Sequence, residues 1–326
     1  MQHPLATLLV TTPSFGRFSP EPAAAAEAHG IALVRPEGRH PLTSEQLAAE
    51  IERLRPDAVL VGLDDVSGPV LNVLDEVRVV AKHGVGTDNI DVAGVERSGA
   101  VVINAPGSNS DAVADLAVCL MLMGTRQVVA ADASLRRGEW TTFSGRELSG
   151  CTVGIIGFGR IGRAVAQRIQ AFGSRVVAYD PYLPDDAFTD AGVERAALED
   201  LLAASDVVTL HMPGVDGEPL LDRDALALLP HGAVLVNAAR GGLVDEAEVA
   251  HMLQDGRLAA AAFDAFEQEP PTDSPLLSAP NVILTPHIGA YTDRANAAMG
   301  VAVVDDIARV LAGDAPNGRV LAPTAD

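Results

Sequence analysis

Cysteine, aromatic residues and basic charge are all scarce in this chain. Two cysteines, Cys119 and Cys151, stand among 326 residues. That is too few for a disulfide framework or a thiolate metal cluster. Both lie in apolar runs and are expected as reduced core residues, and no metal site is expected. Aromatic residues make up 4% of the chain against 48% hydrophobic residues in all, so aliphatic side chains must build the cores. Lys and Arg number 23 against 44 Asp and Glu, a formal net charge of −21. A nucleic-acid surface needs clustered cations, so no nucleic-acid partner is expected. No uninterrupted apolar run is long enough to span a bilayer, and the N-terminus lacks the basic and apolar segments of a secretion signal. The expected location is the cytoplasm, with no membrane partner.

What the chain does contain is a regular alternation of short apolar strands and helical runs. Its length suggests about two domains. Strands are expected at 5–11, 31–34, 58–61, 77–81 and 101–103, with helices at 22–29 and 43–53, the latter capped by Thr43 or Ser44. Asn104-Ala105-Pro106-Gly107 breaks the pattern and reads as a hinge. The run from Asp111 to about Leu135 reads as one long helix, apolar on most faces and therefore buried between domains or subunits. Alternation then resumes, with strands at 151–156, 175–179, 206–210, 233–237, 259–263 and 281–284. Helices are expected near 163–171, 197–204, 224–229 and 245–255. Thr285-Pro286 reads as a second hinge, followed by a last helix over 295–311.

The most informative stretch is the strand 151–156 running into Gly157-x-Gly159-x-x-Gly162. Gly157 suits a tight strand-to-helix turn, Gly159 lets a pyrophosphate approach the backbone, and Gly162 lets helix pack on strand. The N–H groups of Arg160 and Ile161 at the helix start would face the phosphates. A second strand ends in Asp180, roughly 20 residues further on, where a carboxylate accepts hydrogen bonds from a ribose and repels a 2′-phosphate. Strand, turn, helix, strand and acid in this order point to NAD rather than NADP.

Three polar residues stand past strand ends in the later half: Arg240, Glu269 and His287. In an open parallel sheet, ligands sit at the carboxyl ends of strands. Each residue alone has a plain structural reading, as a solvated charge, a loop acid or a structural histidine. Together, downstream of a dinucleotide motif, they supply what hydride transfer at a carbinol needs. Arginine clamps a carboxylate with paired hydrogen bonds, histidine exchanges the hydroxyl proton, and glutamate holds the ring and stabilises its charged form.

At these residues the chain resembles the D-isomer-specific 2-hydroxyacid dehydrogenases. The resemblance runs over nearly the whole length. It is carried by Gly84-Val85-Gly86-Thr87-Asp88-Asn89-Ile90-Asp91, by the glycine motif with Tyr179-Asp180-Pro181, and by Leu210-His211-Met212-Pro213. It continues through 237–245, 264–270 and 285–290. The resemblance implies an α/β fold in two parts. One is a Rossmann-type NAD domain over 104–286; the other is a smaller flavodoxin-like substrate domain built from 1–103 and 287–326. It implies Arg240, Glu269 and His287 as the catalytic three, with Pro213, Asp264 and the Ala238 carbonyl beside the cofactor. It also implies substrate contacts from Lys82 and the Gly84-Val85-Gly86 backbone, a 2-keto or 2-hydroxy acid as substrate, and a homodimer through the cofactor domain.

Within the family the nearest look is to phosphoglycerate dehydrogenases, mainly through residues 82–91. Two departures bear on substrate and cofactor. The loop after the third strand, Gly62-Leu63-Asp64-Asp65, is acidic and would repel a phosphate unless Lys82 or Arg126 compensates. Small unphosphorylated 2-keto acids are therefore expected at least as readily as 3-phosphohydroxypyruvate. The loop Gly214 to Pro219 lacks the threonines usual near the cofactor. No C-terminal serine-sensing domain is expected. Rival readings are an NAD-sensing corepressor-like binding protein and a phosphite-type dehydrogenase; Glu269 argues against a formate dehydrogenase.

Overall fold

The computed structural model describes residues 6–38, 40–214 and 217–322. Leu5, at the expected start of the first strand, and Val215 and Asp216, in the loop after Pro213, lie outside the described residues. The chain divides into two compact units. The first comprises the described residues up to Asn109 and from Ala290 onward; the second is Ser110–Gly289.

The first unit begins with β1 (Ala6–Val10), α1 (Glu21–Ala28), β2 (Ile31–Val34), α2 (Ser44–Leu54) and β3 (Ala58–Val61). It continues through β4 (Val79–Lys82), α3 (Val92–Arg97) and β5 (Val101–Ile103). The second unit opens with α4 (Ser110–Thr125), α5 (Val128–Arg136), β6 (Thr152–Ile156), α6 (Arg160–Ala171) and β7 (Arg175–Tyr179). Next come α7 (Asp186–Thr189), β8 (Glu194–Arg195), α8 (Leu198–Ala204), β9 (Val207–Leu210) and α9 (Arg223–Ala227). It closes with β10 (Ala233–Asn237), α10 (Glu246–Gln254), β11 (Leu258–Phe263) and β12 (Val282–Leu284). Finally α11 (Asp293–Ala312) and β13 (Arg319–Val320) belong to the first unit.

The sheet of the first unit runs β13-β5-β4-β3-β1-β2, parallel except for β13. That of the second runs β12-β11-β10-β9-β6-β7-β8, all parallel. In each, neighbouring strand residues feed opposite faces. Leu8, Leu60 and Val79 pack with Val303 and Ile307 of α11, whereas Leu9, Val59 and Val80 pack with Leu47 and Ile51 of α2. In the second unit, Ile155 and Val236 meet Met121 of α4 and Val165 of α6, while Ile156 and Leu235 meet Leu201 of α8 and Val249 of α10. Parallel strands covered on both faces must be apolar throughout, which is why these segments read as continuous apolar runs. The short edge strands β8 and β13 have no such run and were invisible to that pattern.

Local signals set the helix ends. Thr43 and Gln46 form a reciprocal capping box at the start of α2. Asp245 caps α10 and Thr292 caps α11 through their side chains.

Two expectations need correction. The run 111–135 is not one helix: α4 and α5 meet at a bend of 63°. Gln127 takes a left-handed conformation there, φ 52°, and its side chain holds the Ser144 carbonyl at 2.8 Å. Gly124 brings this end of α4 close to β10, where a Cβ would lie 2.9 Å from Val234. No single helix among the described residues is long and apolar enough to cross a membrane. Second, Cys119 is exposed and only Cys151 is buried. The apolar run around Cys119 is real, but position 119 faces outward on α4.

Candidate active site

The strand order of the second unit reverses at β6, which lies between β7 and β9. Gly157 turns the chain there with φ +90°, and a Cβ on it would lie 2.6 Å from the His211 carbonyl oxygen after β9. A Cβ on Gly162 would sit 2.1 Å from the Gly157 carbonyl oxygen, so α6 packs on the turn only because that position is glycine. Gly159 differs: nothing lies within 4 Å of where its Cβ would be. No side chain caps α6, which leaves the Arg160 and Ile161 N–H groups for an anion. Asp180 follows β7 directly. Its carboxylate accepts the Phe158 and Tyr182 N–H groups, each at 3.0 Å, and is thereby fixed beside the glycine turn. An open glycine, an uncapped helix start and a fixed carboxylate at a switch point fit a dinucleotide. Pro213 follows β9 and is exposed; Ala238 follows β10 and is partly buried.

Arg240, Glu269 and His287 follow three neighbouring strands, β10, β11 and β12, at their carboxyl ends. Asn237, 1% exposed at the end of β10, shapes the first turn. Its amide donates to the Arg240 carbonyl at 2.8 Å and accepts the Ala239 N–H at 3.1 Å. Both carboxylate oxygens of Glu269 lie 2.9 Å from Nδ1 of His287. Oε1 of Glu269 also accepts the Phe266 N–H at 3.1 Å. Burial pushes the Glu269 carboxyl up. The hydrogen bond and charge of His287, the Phe266 N–H and the charge of Arg240 together outweigh it and hold the group below its ordinary value. With Nδ1 engaged by Glu269, Nε2 of His287 is the nitrogen left to exchange a proton.

His287 itself is left-handed, φ 52°, a conformation that costs a non-glycine residue roughly 1–3 kcal/mol. Asp264, 2% exposed after β11, holds it there. Its carboxylate accepts the Thr285 hydroxyl at 2.6 Å and the Ile288 and Gly289 N–H groups at 2.8 Å. Burial raises the Asp264 pKa despite those three bonds and the His287 charge. His287 falls with the second unit, Ser110–Gly289.

The profile of the "D-isomer specific 2-hydroxyacid dehydrogenase, NAD binding domain" family matches residues 118–289. The hydroxypyruvate reductase of Thermotoga maritima is 38% identical over 280 residues, 83% of this chain and 90% of that protein. The chain belongs to the D-isomer-specific 2-hydroxyacid dehydrogenase family. The D-3-phosphoglycerate dehydrogenase of Mycobacterium tuberculosis is 45% identical over 262 residues, 79% of this chain. This family member spans about half the length of the phosphoglycerate dehydrogenases it matches. The crystal structure of D-lactate dehydrogenase from Aquifex aeolicus, complexed with NAD and lactic acid, is similar with a TM-score of 0.82. It is 25% identical, and the match covers 98% of this chain and 100% of that one.

In the first unit of this family member, Lys82, Gly84, Val85 and Gly86 lie at the carboxyl end of β4. Lys82 is buried, and its ammonium donates to the Gly62 carbonyl and to Asn89 Oδ1. The Gly84 carbonyl accepts the Ala105 N–H at 2.9 Å, and the Val85 carbonyl accepts the Asn104 amide at 2.6 Å. Of the two acids in the loop after β3, only Asp65 is exposed. Asp64 is 0% exposed, and its carboxylate accepts from Thr11, from His40 at 3.0 Å, from the Leu42 N–H at 2.8 Å and from the Gly62 N–H at 3.0 Å. Its carboxylate is therefore turned inward and held by the protein's own donors. The loop exposes Leu63 and Asp65 instead.

Sequence reasoning missed Asn237 as the residue that shapes the Arg240 turn, and missed what Asp264 holds. A polar side chain closing an otherwise apolar strand was the available signal for both.

Proposed function

We propose that this chain is an NAD-dependent D-2-hydroxyacid dehydrogenase, an oxidoreductase acting on the CH–OH group of small 2-hydroxy acids and the carbonyl of the matching 2-keto acids. The observation that carries the reading is the Glu269–His287 pair beside Arg240, past the carboxyl ends of β10, β11 and β12 in the sheet whose β6 and β7 carry the dinucleotide cradle. NAD, when bound, supplies or accepts the hydride. Arg240 holds the substrate carboxylate and polarises the carbonyl oxygen. His287, aligned through Nδ1 by Glu269, gives its Nε2 proton to the carbonyl oxygen in reduction and takes the hydroxyl proton in oxidation. Gly157, Gly159, Arg160, Ile161, Gly162 and Asp180 hold the cofactor.

The exposed Leu63 supports small unphosphorylated 2-keto acids as substrates at least as well as 3-phosphohydroxypyruvate. A screen of 2-keto acids with NADH tests this. Exclusive turnover of 3-phosphohydroxypyruvate would overturn the substrate preference, and inertness toward all of them would overturn the enzyme reading. We also infer a homodimer, in the cytoplasm. The support for the dimer is an open groove of about 1040 Å³ on the second unit, lined by Leu122, Met123, Val128 and Leu135 with Arg126 and Asp132 among them. Sedimentation of Leu122→Asp as a monomer, against a wild-type dimer, is the expected result.

A further inference from the structure

Glu246 lies in the first turn of α10, 6% exposed. The helix does not need it as a cap, because Asp245 already accepts the Glu248 N–H at 3.0 Å. A carboxylate buried so deeply must be held by other partners. Oε1 accepts the Glu267 N–H at 2.8 Å, and Oε2 accepts the Ser274 hydroxyl. One carboxylate thus grips both limbs of the loop that carries Glu269. The loop bearing Arg240 rests on the same segment, where a Cβ on Gly241 would lie 1.8 Å from the Phe266 carbonyl oxygen. Phe266, in turn, gives its N–H to Glu269. The chain of contacts runs from Glu246 to Glu267, through the Phe266 turn to Glu269, and from there to His287.

We propose that Glu246 is a positioning residue that sets Glu269 against His287 by clamping the loop at Glu267 and Ser274. The proposal rests on reading Glu269 and His287 as the proton-handling pair. It also distinguishes contact from charge. In Glu246→Gln the amide oxygen still accepts the Glu267 N–H, and the amide nitrogen donates to the Ser274 oxygen, so the clamp survives. In Glu246→Ala both partners lose it.

The test compares these two variants with wild type and Glu269→Gln. Glu246→Ala should lower the kcat of keto-acid reduction roughly 10- to 100-fold, as a misplaced reacting group does. NADH affinity should be retained, and the reductive pH profile should move toward that of Glu269→Gln. Glu246→Gln should restore both kcat and profile. Wild-type kcat and profile in Glu246→Ala would overturn the proposal, as would Glu246→Gln being as impaired as Glu246→Ala. A second readout does not depend on turnover: carbon-13 NMR titration of the Glu269 carboxyl. Glu246→Ala should move it up toward ordinary carboxylate values and Glu246→Gln should not; an unmoved Glu269 in Glu246→Ala refutes the clamp. If wild type reduces no keto acid while the NMR shift is seen, the dehydrogenase reading fails and the clamp stands.

Discussion

Each unit has a sheet, parallel but for β13 in the first, whose strand order reverses once, at β6 beside β9 in the second unit and at β1 beside β3 in the first. By topology alone, both reversal points are ligand crevices. In the second unit the crevice is lined by glycine, and the backbone at Gly159 is open. In the first, the corresponding strand ends are joined by Asp64, which ties Thr11 after β1 to the Gly62 loop after β3, with His40 and Leu42 closing it. The same topology thus yields a cradle in one place and a structural plug in the other. The deciding factor is whether the strand end opens onto a helix start with no side-chain cap or is tied across by a buried side chain.

The histidines follow the same division. His287 is partly exposed, its side chain at 36%, and is held by a carboxylate. His83, after β4, is buried with Ser14 at 3.1 Å, and burial pushes it down to about 4 against the opposing backbone of Asn296, with the Lys82 charge adding to the fall. His211, after β9, is pushed by burial to about 3. A histidine at a strand end handles protons only where burial has not already fixed its state.

The largest expected effect lies on the open side. His287→Ala should lower kcat for reduction by about 10²- to 10⁴-fold, the span of general acid–base catalysis, while NADH binding measured by fluorescence titration is nearly unchanged. Hydride transfer at the wild-type rate in single turnover would remove His287 from the mechanism.

Breaking the plug should act on stability instead. Asp64→Ala should cost about 3–5 kcal/mol in urea unfolding, since it strands buried donors that shared one carboxylate. A loss below about 1 kcal/mol would mean the network is dispensable.

Acid should find the buried histidines next. Both have folded pKa values below the unfolded value of about 6.5, so the unfolded state binds more protons as pH falls. Stability is then lost from about pH 6.5 down to about 4 for His83 and about 3 for His211. Each should cost about 2 kcal/mol between pH 6.5 and 5. Asp64 and Glu269 stay below the usual carboxylate range because hydrogen bonds and neighbouring charge outweigh their burial. Their contributions are lost only as pH falls through those lowered values, and Asp264, raised by burial, gains rather than loses stability on protonation, so the loss above pH 5 belongs to the histidines. His83→Gln should flatten the urea-measured dependence, and an unchanged slope would contradict the assignment.

Within the cradle, Gly159→Ala should weaken NADH binding about tenfold, because the pyrophosphate needs the bare backbone, with Tm unchanged because the added Cβ meets no protein atom. Gly162→Ala should lower Tm as well. Equal Tm losses in the two variants would erase the distinction drawn between them.

The smallest effect is cofactor choice. Asp180→Ala should narrow the preference for NADH over NADPH in kcat/KM, because the carboxylate that repels a 2′-phosphate is gone. A wild type that prefers NADPH would refute that role for Asp180.

The residues 153–162 and 175–180 made the dinucleotide cradle legible from sequence because its parts are contiguous and each glycine answers a local backbone demand. The apolar runs of β3, β9, β10 and β11 were legible for a similar reason: strands covered on both faces must be apolar along their length. The candidacy of Arg240, Glu269 and His287 also came from sequence, as polar residues past strand ends. Tertiary structure decided what no local pattern encodes. Gln127 breaks an apolar run that periodicity joins, and Cys119 faces outward although its neighbours are buried. Asp64 is buried and hydrogen-bonded by Thr11 and His40, which are distant in sequence. Asp264 and Glu246 reach across loops to hold the residues that do chemistry. A side chain's charge is written in the sequence, but whether that charge meets solvent, a ligand or a buried partner depends on contacts made only when the sheet brings the strand ends together.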